Sequence, residues 1–142
     1  MSGATQIAYR LGAAAREPAN WLQLLKFGLV GASGYVVNLA VFAVLAGNLG
    51  VHHAAAAVGA FAVAVSNNFL WNRRWTFGPG EGRVHFQAVR FFVVSVASLC
   101  LNLVVLQALV ATGAISELAA QAIAVAVAMP FNFIGNRLWT FA

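Results

Sequence analysis

Two stretches of this 142-residue chain carry the same polar residues at the same spacing. Asn68 and Asn72 are followed at once by Arg73 and then by Trp75, and Asn132, Asn136, Arg137 and Trp139 repeat the arrangement. A spacing of four places both amides of a pair on one helical face. A guanidinium is always charged and grips phosphate oxygens through two parallel N–H donors. Neutral amides donate and accept, which suits sugar hydroxyls. Asn68 precedes Arg73 by five positions, roughly 7 Å along a helix. Each copy therefore reads as a donor-rich ladder leading away from a cation. Lys26 and Arg90 supply one further cation to each copy. The candidate phosphate-binding set is Arg73, Arg137, Lys26 and Arg90. Asn68, Asn72, Asn132 and Asn136 form the first steps of a sugar path. The competing reading makes the arginines topology anchors whose side chains snorkel to the interface. An anchor would serve one residue earlier or later, yet both copies keep one spacing to the asparagines.

Asn38 and Asn102 form a third pair, each twelve residues beyond Lys26 or Arg90, or roughly 18 Å along a helix. An amide near a bilayer centre needs a partner, because lipid offers none. Gly31 and Gly34 share its face in one copy, as do Ser95 and Ser98 in the other. Such small residues let two helices approach until an amide bridges them. These two asparagines either hold helices together or carry a ligand past the midplane, and the two roles are compatible.

The elements that position these residues follow from composition. The chain is 62% hydrophobic and 8% charged, with eight Lys or Arg and only three acidic residues. Soluble chains carry about 25% charged residues, so this one cannot build a water-facing surface. Cys100 is the sole cysteine, which rules out a disulfide scaffold. The cations are few and sit at the ends of apolar runs, which is not the basic face of a nucleic-acid binder. About 20 apolar residues cross a bilayer as helix, and four stretches qualify: 27–46, 54–71, 91–111 and 118–134. The hairpins 47–53 and 112–117 carry no Lys or Arg. All eight cations lie in the N-terminal segment, the middle loop or after the fourth span. The positive-inside rule then puts both termini and the middle loop in the cytoplasm of a multi-pass inner-membrane protein. Trp21, Trp75 and Trp139 mark that interface. Residues 1–20 lack an apolar signal-peptide core, and 20–26 read as a short interfacial helix. Gly78-Pro79-Gly80-Glu81-Gly82 reads as a flexible linker.

Displaced by 64 positions, residues 26–77 align without a gap on 90–141, and 19 of the 52 pairs are identical. Nine of these are not Ala, Val or Leu, among them Phe27/Phe91, Phe69/Phe133, Thr76/Thr140 and Phe77/Phe141. The expected fold is an all-α integral membrane protein of four transmembrane helices, built as two parallel-repeat hairpins about an axis along the membrane normal. The organisation is 1–25, a cytoplasmic or interfacial segment; 26–77, the first repeat; 78–89, a cytoplasmic linker; and 90–142, the second repeat.

No span holds Asp, Glu or His, the groups on which intramembrane proton relays depend. That argues against a proton-coupled cation exporter. No phosphate-binding loop, activated nucleophile, carboxylate pair or metal-ligand cluster is present, so neither catalysis nor a cofactor is expected. What remains is passive movement or positioning of an anionic, membrane-embedded molecule.

With these motifs the chain resembles the GtrA-like family of bacterial membrane proteins. The resemblance rests on Lys26-Phe27-Gly28-Leu29-Val30-Gly31, on Asn38-Leu39, and on the run from Asn68 through Asn72-Arg73-Arg74-Trp75-Thr76-Phe77. Weaker copies are Arg90-Phe91-Phe92 and the run from Asn132 to Phe141, where Gly135 replaces Trp71 and Leu138 replaces Arg74. The resemblance implies a flippase that moves a polyprenyl-phosphate-linked monosaccharide to the outer leaflet for cell-surface polysaccharide synthesis. It also implies, as an alternative, a non-transporting adaptor that recruits a membrane glycosyltransferase. Four helices enclose little space, so a homo-oligomer is expected.

Overall fold

The computed structural model describes residues 3–142, and at positions 10, 11, 14 and 15 the backbone alone. Met1, Ser2 and the Arg10 side chain lie outside the described residues. A first helix, α1 (Gly3–Arg16), is followed by α2 (Pro18–Phe42), α3 (His53–Trp71), α4 (Val84–Thr112) and α5 (Glu117–Gly135). Glu17 is extended because it precedes a proline, and Pro18 opens α2 where its missing N–H costs nothing. Three helices end in wider turns: α2 continues as a π-helix through Ala43–Asn48, α3 through Asn72–Thr76 and α5 through Asn136–Thr140.

Four helices are long and apolar enough to cross a membrane, and among the described residues there is no strand. The spans are longer than composition alone delimits. The short helix expected over residues 20–26 is the opening of α2, which with its π turn runs unbroken for 31 residues. That is roughly 46 Å, longer than the hydrocarbon of about 30 Å. Similarly, α4 begins at Val84 rather than near residue 91, since nothing from 84 to 90 breaks a helix. The connection between α3's π turn and α4 shortens accordingly to residues 77–83. Helix α5 is continuous through Pro130, which leaves the Ala126 carbonyl without its usual backbone donor.

At the opposite end the turns are short and capped. The His52 ring accepts from the Ala54 N–H, and Ser116 Oγ accepts from the Ala119 N–H. Within each hairpin small residues bring the helices together. Ala56, Ala60 and Ala64 of α3 are buried, and so are Ala120, Ala124 and Ala128 of α5. Such four-residue spacing of small side chains allows close backbone approach. Leu29, Tyr35, Val36, Val58, Val104 and Leu118 point outward, an apolar exterior that fits acyl chains and not water.

Six phenylalanines join the hairpins at the end that holds the 77–83 connection. Their contacts come in pairs 64 residues apart: Phe27–Phe77 at 5.9 Å beside Phe91–Phe141 at 6.1 Å, and Phe27–Phe133 beside Phe69–Phe91, both at 5.7 Å. Phe77 and Phe141 stack on each other at 5.0 Å between the two halves.

Gly34 of α2 is where a backbone must come close. A Cβ built on it would overlap the Asn68 amide, whose Cγ lies 2.6 Å from that position. Gly34→Ala is therefore expected to destabilise the chain by about 1–3 kcal/mol through overpacking. Asn68→Ala in the same chain should recover most of the loss, as a denaturation double-mutant cycle in mixed micelles would read. Equal stability of Gly34→Ala and the native chain would contradict the contact.

Candidate functional site

The π turns decide where the polar motif ends up. The Phe77 N–H bonds the Asn72 carbonyl and the Phe141 N–H bonds the Asn136 carbonyl, each five residues back at 2.9 Å. Single π turns recur at functional sites because they re-aim side chains. Asn72, Thr76, Asn136 and Thr140 lie in these turns, and all four are buried.

In the second repeat this ladder is closed. Asn136 Nδ2 donates to Asn132 Oδ1 at 2.8 Å and to the Asn132 carbonyl at 2.9 Å, and Thr140 Oγ1 donates to Asn136 Oδ1 at 2.9 Å. In the first repeat Asn68 Oδ1, Asn72 Oδ1 and Thr76 Oγ1 are buried without a partner, as is Asn67 Nδ2. The difference begins at one side chain. Gly34 leaves room for the Asn68 amide to lie on α2, whereas Ser98, 64 residues on, fills that room and donates its Oγ to the Ala128 carbonyl at 3.1 Å. A buried polar atom left unmatched costs about 1–3 kcal/mol, so the first ladder is primed for hydroxyl or water partners.

The cations fall into two groups. Lys26 and Arg137, both half-buried, line one cleft of about 360 Å³ with Glu17, Asn20, Gln23 and Thr76. Gln23 Nε2 donates to the Thr76 carbonyl at 3.1 Å across this cleft, and the Lys26 ammonium lies 5.4 Å from the Trp75 ring. Arg73 and Arg90 stand elsewhere. Arg73 Nε donates to Gln87 Oε1 at 2.9 Å, and Gln87 Nε2 donates to the Pro79 carbonyl at 2.8 Å. Arg90 donates to the Trp139 carbonyl at 3.1 Å, its guanidinium 5.7 Å from the Trp139 ring. Of the four candidate phosphate-binding cations, the cleft therefore brings together Lys26 and Arg137 only, while Arg73 bonds Gln87 and Arg90 bonds the Trp139 carbonyl.

The intramembrane amides divide similarly. Asn102 and Asn132 face a lateral groove of about 370 Å³ between α2, α4 and α5, lined also by Gly31, Ser95 and Ser98. Asn68 packs on Gly34 within the first hairpin, and Asn38 is half-buried on α2 outside that groove. All four are partly buried.

Gln23 and Gln87 were not among the residues singled out by motif, although they are themselves 64 apart. Extending the repeat register three positions beyond Lys26 and Arg90 finds them. Thr76 and Thr140 are visible as a repeated pair, and their spacing of four from Asn72 and Asn136 puts them on the same helical face as the asparagines.

A family model described as "GtrA/DPMS, transmembrane domain" matches residues 26–141. The chain is 30% identical over 121 residues to a dolichol-phosphate mannosyltransferase of Pyrococcus furiosus, covering 84% of this chain and 34% of that protein. It is 28% identical over 116 residues to the uncharacterized membrane protein YngA of Bacillus subtilis, covering 82% of this chain and 77% of YngA. The chain thus spans about a third of the mannosyltransferase's length.

Proposed function

This chain belongs to the GtrA/DPMS transmembrane-domain family, and from that premise we propose that it moves a polyprenyl-phosphate-linked monosaccharide from the inner to the outer leaflet of the cytoplasmic membrane, for cell-surface polysaccharide synthesis. The observation that carries this reading is the Lys26–Arg137 cleft. Two cations against the single carboxylate of Glu17 leave one net positive charge there. A phosphodiester carries one negative charge, whereas a phosphomonoester carries about 1.5 to 2. Arg137 would fork onto the phosphate oxygens, with Lys26 as a point charge beside it. The buried Thr76 hydroxyl and the Asn72 amide oxygen, both unpartnered, would take sugar hydroxyls.

The neighbouring surfaces suit the rest of such a lipid. An apolar groove of about 350 Å³ lined by Trp21, Leu24, Leu25, Leu29 and Met129 lies on the same stretch of α2 as the cleft, and the polyprenyl chain would lie along it. Asn132 and Asn102 in the lateral groove would carry the headgroup past the midplane. Both termini and the 77–83 connection would face the cytoplasm. The two repeats, 26–77 and 90–142, would be related about the membrane normal, and a homo-oligomer would shield the lateral groove. With no Asp, Glu or His within the apolar runs 27–46, 54–71, 91–111 and 118–134 to couple an ion, movement would run downhill, drawn by consumption outside. No step of this scheme breaks or makes a covalent bond, so the chain would act as a membrane protein without catalysis of its own.

The test is reconstitution of the full chain in vesicles holding a polyprenyl-phosphate monosaccharide labelled on the sugar. Exchange between leaflets faster than in protein-free vesicles, with no ion gradient, is expected. Exchange at the protein-free rate would reject transport. It would favour the second reading, an adaptor for a membrane glycosyltransferase. That reading is supported by the Pyrococcus relative, named a mannosyltransferase, two-thirds of which lies outside the match.

A further inference from the structure

The two halves of this molecule match residue for residue around the cations, yet only one is open. The open cleft takes Gln23, Lys26 and Thr76 from the first repeat and Arg137 from the second. Moving each by 64 positions gives Gln87, Arg90, Thr140 and Arg73. At this twin position Gln87 is 1% exposed, clamped between Arg73 and the Pro79 carbonyl. The connecting segment is folded down on it. A Cβ on Gly80 would stand 3.0 Å from Gln87 Nε2 and 3.1 Å from the Phe141 carbonyl, and the residue's φ is +59°. Both constraints call for glycine. The segment expected to be a flexible linker is therefore a plug. Thr140 is satisfied by Asn136 in this half, while the matching Thr76 hydroxyl in the open half is not.

The membrane portion repeats the asymmetry independently. The lateral groove is bounded by Gly28 and Val125, whose counterparts are Phe92 and Phe61. Those two rings meet edge to face at 6.2 Å between α3 and α4, filling the space that stays open between α2 and α5. The apolar and lateral grooves open along α2 and α5, and the cleft lies between α2 and the two π turns that hold Thr76 and Arg137. The apolar groove has an open counterpart of about 330 Å³ between α3 and α4, lined by Val65, Ala88 and Phe92, whereas the counterparts of the cleft and of the lateral groove are filled by Gln87 and by the Phe61–Phe92 pair.

We propose that each chain has a single lipid-phosphate path, along α2 and α5, and that Gln87 with residues 78–82 and the Phe61–Phe92 pair keep its symmetry-related twin shut. This rests on the reading of the cleft as a site for a phosphate carried on a lipid. It adds that duplication has left one working half and one structural half. Arg73 and Arg90 then hold the plug and the interface, and the substrate phosphate meets Lys26 and Arg137.

Leu22, which lines the cleft, and Phe86, its counterpart, are both exposed, so each can carry a photo-crosslinking amino acid in the full chain. The probe is farnesyl phosphate esterified to a single hexose, with inorganic phosphate and unphosphorylated farnesol as competitors. Capture is expected at Leu22, about tenfold above Phe86, the ratio one charged contact supplies. Neither competitor should remove it at equal concentration, whereas displacement by inorganic phosphate would overturn the lipid source. Gln87→Ala is expected to raise capture at Phe86. Ala32→Phe, from an exposed position in the lateral groove, should keep capture at Leu22 and abolish leaflet exchange. Equal capture at both positions in the native chain overturns the single path and leaves the transport proposal standing. Capture at neither overturns both.

Discussion

Arg137→Ala is expected to slow leaflet exchange of a polyprenyl-phosphate monosaccharide about tenfold to a hundredfold in reconstituted vesicles. A hydrogen bond to a charged group is worth about 1.5–3 kcal/mol, and every 1.4 kcal/mol is a factor of ten. Arg137→Lys should fall between, since an ammonium keeps the charge and loses the fork. Lys26→Ala should cost less alone, because its charge lies over the Trp75 ring as well as in the cleft. Together the two changes should bring exchange close to the protein-free rate. Arg73→Ala reads differently: its Nε donates to Gln87, which holds the Pro79 carbonyl, so the larger effect should be on stability of the 77–83 connection. Native exchange in the Lys26→Ala/Arg137→Ala chain would remove the cleft from the account.

Phe141→Ala should be the most damaging single change to the fold. Phe141 is buried and touches Phe77 at 5.0 Å, Phe69 at 6.0 Å and Phe91 at 6.1 Å, so one ring ties α3, the 77–83 connection and α4 together. Truncating a core phenylalanine in a soluble protein costs about 3–5 kcal/mol. In lipid the lost transfer term is smaller, because acyl chains solvate the ring as well as the core does. A loss of about 2–3 kcal/mol is expected, measured by denaturant titration in mixed micelles. Phe131→Ala provides the control. Phe131 lies 47% exposed where the first repeat has Asn67, and its loss should stay within about 0.5 kcal/mol. Equal losses for the two would mean that the phenylalanine cluster does not join the hairpins.

The four spans and the hairpin plan were legible in the sequence because bilayer thickness sets helix length and charge-free apolar runs announce it. Helix ends were less legible. Residues 20–26 and 84–90 are polar enough to leave the hydrocarbon yet contain nothing that stops a helix, so periodicity and hydropathy part company there. The motif residues were found because they recur, but recurrence predicts a symmetric site. What breaks the symmetry is the company each copy keeps: Gly34 against Ser98, Gly28 against Phe92, and a connection that exists only between the halves and so falls on Gln87 and not on Gln23. An alignment of one half on the other shows the single-residue differences but not their consequence, which depends on the neighbour each side chain meets in space. The π turns are likewise absent from any sequence pattern, although the spacing of four already puts Thr76 and Thr140 on the face of Asn72 and Asn136.

The most direct measurement of the central claim is an experimental structure of the full chain in nanodiscs loaded with a polyprenyl-phosphate monosaccharide. The account predicts the phosphorus between Lys26 and Arg137, the sugar toward Thr76 and Asn72, and the prenyl chain along Leu25, Leu29 and Met129, with Gln87 still bonded to Arg73. A phosphate held instead by Arg73 and Arg90, with the Lys26–Arg137 cleft empty, would contradict it.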